Sequence, residues 1–281
     1  YALVPDALGA ALGTALAVVV WPHVSLGGNA FTYAALLPEG VAWAIALPAV
    51  RWFLEGRRLP AGALLGVAAW FHLLVGFQTA LVLGVVALWG AAAHRSRDDA
   101  WGAVRFGLAA AAVAAPLAVP AVLSNPLLAG DGLAGRSTFD VLARLRLPHH
   151  YLFFSFPIGS LVRFGVLGLG GGAAYAALAR RGALRHGDVL RRGAVVVAVL
   201  CLGAVVFTEG VPVLVVAQLQ AFKLTVWVTA LWSLGVGVWV ARALPARFRG
   251  PLERPLTQPR LGLAVVALGL LLSAAVLAAS P

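Results

Sequence analysis

The sequence predicts an all-α fold, a polytopic integral membrane bundle of about nine crossings. Three observations predict it: an apolar excess, apolar runs of bilayer-crossing length, and arginines gathered in the short stretches between those runs. Of 281 residues, 62% are hydrophobic and 11% charged, and the mean hydropathy is +0.94. Soluble domains run at roughly 45–50% apolar and about 25% charged. Water cannot solvate so much apolar surface behind so few charges, so the first partner the composition implies is a lipid bilayer.

A crossing takes about 20 apolar residues. Runs of that kind lie at 5–22, 37–54, 60–75, 77–93, 103–123, 158–179, 194–210, 222–242 and 260–279. The stretch 60–93 is too long for one crossing and short for two. Arg57 and Arg58 precede it and Arg95 and Arg97 follow it, which predicts two short helices that reverse at His72–Gly76. The residues read as one transmembrane domain over 1–281, with a long polar connection at 124–156 and a shorter one at 243–259 that four prolines keep from being helical. Gly9 with Gly13 and Gly62 with Gly66 have the small-xxx-small spacing that lets membrane helices approach closely, although a Gly- and Ala-rich composition also generates such pairs. The chain opens on Tyr1 and has no methionine, so we expect a piece of a longer protein.

The net charge of +11 does not indicate nucleic-acid binding, because the arginines are topology signals between apolar runs. Under the nine-crossing reading, five of the 21 basic residues (Arg136, Arg144, Arg146, Arg163 and Lys223) fall on one side. The remainder fall on the other, which makes the Arg-rich loops cytoplasmic and the 124–156 stretch extracytoplasmic. Cys201 is the single cysteine and lies in an apolar run, so no disulfide or thiolate metal site can be built.

Ionisable side chains near hydrocarbon are costly and point to function. The topology puts the unusual ones on the extracytoplasmic half. Glu39 follows Pro38, either as an ordinary helix start, where the dipole favours a carboxylate, or as a carboxylate facing a cavity. His72 and Gln78 either satisfy backbone groups freed at a turn or floor an outer cavity. His149 and His150 are either a solvated pair or include a general base or phosphate donor. The crossing that carries Glu209 breaks at Gly210 and Pro212. Beyond the break, Gln218, Gln220 and Lys223 lead into the next helix, where a cation and the helix dipole suit a phosphate. No phosphate-binding loop, zinc-binding helix pair or serine elbow is present in the sequence.

Four strings, Pro38-Glu39-Gly40, His72-Leu73-Leu74-Val75-Gly76, Pro148-His149-His150 and Gln218-Leu219-Gln220-Ala221-Phe222-Lys223, together with the layout of many helices and a long outer loop, resemble the GT-C class of membrane glycosyltransferases and their bacterial relatives. The resemblance implies a sugar taken from a polyprenyl-phosphate donor at the outer face of a bacterial inner membrane. Lys223 would meet the lipid phosphate, and Glu39, His72, Gln78, His149, His150, Glu209 and Gln220 would line the substrate site. That class carries its catalytic acid in the first outer loop. Here that loop would precede Tyr1, and Asp6 does not match it, so the resemblance assigns no catalytic base. Sugar transfer of this kind often uses a divalent cation near the phosphate. No metal ligands are assigned.

Two other classes fit the same layout: a transporter or flippase for a lipid or small solute, and a non-catalytic helical subunit whose polar residues act as interhelical glue. The sidedness on which all three depend is directly measurable. In a Cys201→Ser background, Arg185→Cys and Ser137→Cys should react with a membrane-impermeant maleimide from opposite sides of a sealed vesicle. Labelling of both from one side would overturn the assignment.

Overall fold

The computed structural model describes residues 7–17, 26, 38–124, 137–245 and 247–248. The expected crossing at 260–279, the ends of the one at 5–22, Asp6 and most of the 243–259 connection lie outside them. Among the described residues there is no strand, and ten α-helices follow one another: α1 (Ala7–Ala15), α2 (Pro38–Leu54), α3 (Arg58–Phe71), α4 (Leu73–His94), α5 (Arg97–Leu123), α6 (Pro148–Tyr151), α7 (Ile158–Arg180), α8 (Gly187–Val205), α9 (Leu214–Gln218) and α10 (Thr225–Ala243). Among the described residues, five helical stretches are long and apolar enough to cross a membrane: Leu73–His94, Arg97–Pro120, Ile158–Arg180, Gly187–Gly210 and Leu214–Ala243. Their outward residues are apolar too; Leu169 is 80% exposed, a surface suited to acyl chains rather than water.

Two compact units make up the chain. The larger comprises Pro22–Val166 and His186–Thr229, the smaller Tyr1–Trp21, Leu167–Arg185 and Ala230–Pro281. The larger unit is built on α2 to α5. Its core joins Trp43, Ala46 and Phe53 of α2, Leu65 and Ala68 of α3, Leu83 of α4 and Phe106 of α5. Glycines set how closely these helices pack. A methyl on Gly62 would overlap the Phe106 backbone, and one on Gly66 would lie 2.6 Å from Val113 Cβ. Because 62 pairs with 106 and 66 with 110–113, α3 and α5 run in the same direction. Gly76 sits against Leu65 and Ala69, so α4 runs back along α3.

The expected pair of helices in 60–93 is thus present, with a tighter reversal than the sequence suggested. His72 alone separates them, extended at φ −149° and ψ 104°. The helices are also unequal. At 1.5 Å per residue, the 14 residues of α3 span about 21 Å and the 22 of α4 about 33 Å. Only α4 matches the roughly 30 Å hydrocarbon core. The reversal brings the cationic ends together: Arg58 lies beside Gly102 and Arg192, at the start of α8, beside Gly90. Arg58 stacks 3.7 Å over the Phe53 ring, which meets Phe106 edge-on at 5.2 Å. A guanidinium and two rings therefore lock that end of α2, α3 and α5.

The polar stretch 124–156 is not a plain loop where it is described. Ser137 accepts the Asp140 amide at 3.1 Å, opening a helical turn Asp140–Arg146 that leads to α6. Phe139, Leu142 and Ala143 pack with Tyr151 and Ala217; their apolar side chains are the reason the segment folds. In the smaller unit both members of the other glycine pair are contact points. Gly9 meets Val238 and Gly13 meets Leu234, with added methyls at 2.8 Å and 2.6 Å from the respective Cα atoms.

These contacts predict that Gly62→Ala, which forces α3 away from α5, destabilises the purified protein by about 1–3 kcal/mol. Gly40→Ala, in open space, should cost nothing. Thermal unfolding in detergent separates the two.

Candidate functional site

At the end of the larger unit opposite the Arg58 and Arg192 turns, the α3–α4 break meets the turn that leads into α10. His72 makes the break possible. Its Nδ1 accepts the Val75 amide at 3.3 Å, capping one of the orphan donors of α4. That bond puts the ring proton on Nε2, which faces Glu39 Oε2 at 3.8 Å. Glu39 reaches it from the first turn of α2, where Pro38 begins the helix and the dipole favours a carboxylate. The expected helix start is present. The Glu39 side chain, 12% exposed, turns inward with Oε1 buried and without a hydrogen-bond partner.

Gln78, 4% exposed, donates through Nε2 to the carbonyls of Leu219 and, at 3.2 Å, Gln220. It satisfies backbone freed where the chain turns, which was one of the two roles foreseen for it. Gln220 needs the help, because its φ of 46° lies in the left-handed region that costs a non-glycine residue roughly 1–2 kcal/mol. Its own Nε2 donates to the Tyr151 hydroxyl at 2.9 Å. Burial pushes that phenol above its ordinary pKa, with the Gln220 amide and the Arg146 charge pulling the other way.

Lys223 follows on the turn Ala221–Leu224, immediately before α10. The Lys223 amide bonds to the Gln220 carbonyl at 2.9 Å. The turn is held below by the Thr225 hydroxyl, which accepts the Leu26 amide at 2.8 Å and donates to the Phe222 carbonyl at 2.7 Å. Trp227 meets Trp43 of α2 edge-on at 5.2 Å and pulls this turn toward Glu39. Lys223 is 9% exposed and within electrostatic range of both Glu39 and His72. Among the described residues its ammonium has no hydrogen-bond acceptor.

Five of the expected residues, Glu39, His72, Gln78, Gln220 and Lys223, thus share one neighbourhood. The others stand apart from it in their contacts. His149 and His150 lie beside Tyr151 with ring centroids 4.4 Å apart, His149 on the surface. Glu209 accepts the Phe154 amide at 3.0 Å and holds the aromatic group of Phe153, Phe156 and Phe222 in place. Tyr151, Thr225 and the Trp43–Trp227 pair were not foreseen. Tyr151 abuts the two histidines in sequence, which was the available signal; the others look like ordinary apolar-segment residues. Among the described residues no group of three or more His, Cys, Asp or Glu could hold a metal ion.

Among the described residues the chain is all-helical, with five helices long and apolar enough to cross a membrane, and a carboxylate, an imidazole and an ammonium lie near one helix break. No protein-family model matches the chain, and no curated protein or solved structure matches it either.

The site's backbone contacts predict that Gln78→Leu takes the side-chain donor from the Leu219 carbonyl and leaves the Gln220 carbonyl only the Lys223 amide, lowering stability by about 1–3 kcal/mol. Gln220→Gly relieves the positive φ while losing the Tyr151 bond, and should be close to neutral. Thermal melts of the two variants in one detergent test both.

Proposed function

We propose that this protein is a membrane glycosyltransferase-like protein of the GT-C kind, handling a polyprenyl-phosphate-linked sugar at the extracytoplasmic face of a bacterial inner membrane. The nine crossings, the cytoplasmic Arg-rich loops and the extracytoplasmic 124–156 segment belong to this reading. The observation that carries it is Lys223, a residue 9% exposed whose ammonium has no described hydrogen-bond acceptor, next to Glu39 and His72 at the start of a long apolar helix. A cation kept buried in an apolar setting is costly unless it meets an anion, and a lipid phosphate is the anion a membrane supplies. In the same reading His149 and His150 border the sugar side, and any divalent cation is held by ligands outside the described cluster. No catalytic base is assigned.

A second reading, a non-catalytic helical subunit, is favoured by one observation: Gln78 spends its side-chain amide on main-chain carbonyls, as polar interhelical glue does. Reconstituted protein separates the two. Under the first reading it binds a radiolabelled polyprenyl-phosphate sugar, and Lys223→Met weakens binding about tenfold or more, equivalent to roughly 1.4 kcal/mol or more. Equal binding by the variant, or none by the parent, would exclude the lipid-phosphate reading.

A further inference from the structure

At the basic end of the larger unit, two guanidinium groups carry hydrogen-bonding capacity that the described protein does not use. Arg192 is 8% exposed, and its Nε is buried without a hydrogen-bond partner. Among the described residues the carboxylate in ion-pair range is Asp188, 4.0 Å from Arg192 and shared with Arg191 at 3.4 Å. That carboxylate is 69% exposed, so solvent screens it and it offsets little of a buried charge. Arg58 presents the same deficit. Its Nη1 is buried without a partner, and Asp99 acts on it only through the electrostatic field. The two arginines belong to one core end. Arg192 lies against Gly90 of α4, where an added methyl would come within 2.9 Å of Nη1. Val189, one turn before it, packs on the core that holds Phe53, Ala87, Ala103 and Phe106, and Arg58 covers the Phe53 ring.

We infer that Arg58 and Arg192 form a headgroup site for an anionic phospholipid, bound where the ends of α3, α4, α5 and α8 meet. A planar guanidinium gives a phosphate charge-assisted hydrogen bonds, and the phosphate brings the negative charge that Asp188 supplies only weakly. The surroundings favour a lipid over a free ion. α8 runs back along α4: Arg192 meets Gly90, whereas Cys201 reaches Ala221, beside the carbonyls that Gln78 holds. Beyond Arg192 these two helices turn apolar residues outward, Val85 and Leu88 from α4, Val195 and Val199 from α8, a surface for acyl chains. On the α3–α5 flank, Arg57 covers the Trp52 ring at 4.7 Å and Arg105 the Trp101 ring at 5.4 Å. Cations paired with tryptophan are the side chains that settle at headgroup depth, and basic pockets between membrane helices hold anionic headgroups. The site is at the end of the unit opposite Glu39 and Lys223 and is independent of the function proposed for them.

The test is thermal unfolding of the full chain in dodecyl maltoside with phosphatidylglycerol, phosphatidylcholine or inorganic phosphate added. Phosphatidylglycerol is expected to raise the melting temperature by about 5 °C at saturation. The zwitterionic lipid and inorganic phosphate should leave it unchanged. Arg192→Gln should remove most of the shift and Arg58→Gln part of it. Arg192→Lys, which keeps the charge but loses the planar fork, should fall between Arg192→Gln and the parent. Arg191→Gln, a change at an exposed neighbour, should keep the full shift. Should Arg192→Gln fail to fold, photo-crosslinking of the parent decides. Phosphatidylglycerol with a diazirine beside its headgroup should label 86–95 and 187–193 in preference to 214–224. An equal shift from phosphatidylcholine or from inorganic phosphate would overturn the inference. So would a full shift in Arg192→Gln, or crosslinks spread evenly along the chain.

Discussion

Backbone turned away from a helix in an apolar surround must find its hydrogen bonds inside the protein. In the larger unit, each break near the candidate site is stabilised by a nearby side chain. The His72 ring caps α4, the Gln78 amide takes the carbonyls of Leu219 and Gln220, and the Thr225 hydroxyl serves Leu26 and Phe222. Without these bonds the α3–α4 reversal could not be a single residue long, nor could the Lys223 turn adopt the left-handed Gln220. The same bonds gather the polar side chains into one place, so a structural necessity and a candidate chemical site share residues.

Close helix contact is the second constraint. Gly62 and Gly66 let α5 lie against α3, and Gly76 lets α4 fold back on α3. The aromatic and cationic stacking of Arg58, Phe53 and Phe106 holds the end of the unit opposite Glu39 and His72. Charge is sorted along these helices: guanidinium groups gather at one end of α2, α3 and α4, and the carboxylate, imidazole and ammonium at the other.

Much of the site was legible because its members are chemically conspicuous. A glutamate, a histidine and a lysine stand out in a chain with only 11% charged residues, and the Pro38-Glu39 start and the Gly210–Pro212 break are local signals. Glu209 was conspicuous for the same reason, yet its carboxylate is spent on the Phe154 amide. Tyr151 was passed over because its phenol gains importance only from Gln220, 69 residues away. The folding of 137–156 was masked by its prolines, glycines and charges, while the residues that drive it, Phe139 and Leu142, find their partner Ala217 far along the chain.

The sequence by itself determined that the chain is helical and apolar enough to cross a membrane, where its long helices run, and that 60–93 must reverse. Those properties follow from the local count of apolar residues and the cost of breaking backbone hydrogen bonds outside water. Only the tertiary structure decided that Glu39, His72 and Lys223 meet, that Gln78 serves the backbone, and that the two glycine pairs are contact faces rather than products of composition. Each of these depends on the distance between segments remote in sequence, and that distance is set by how closely whole helices pack, which no local pattern contains.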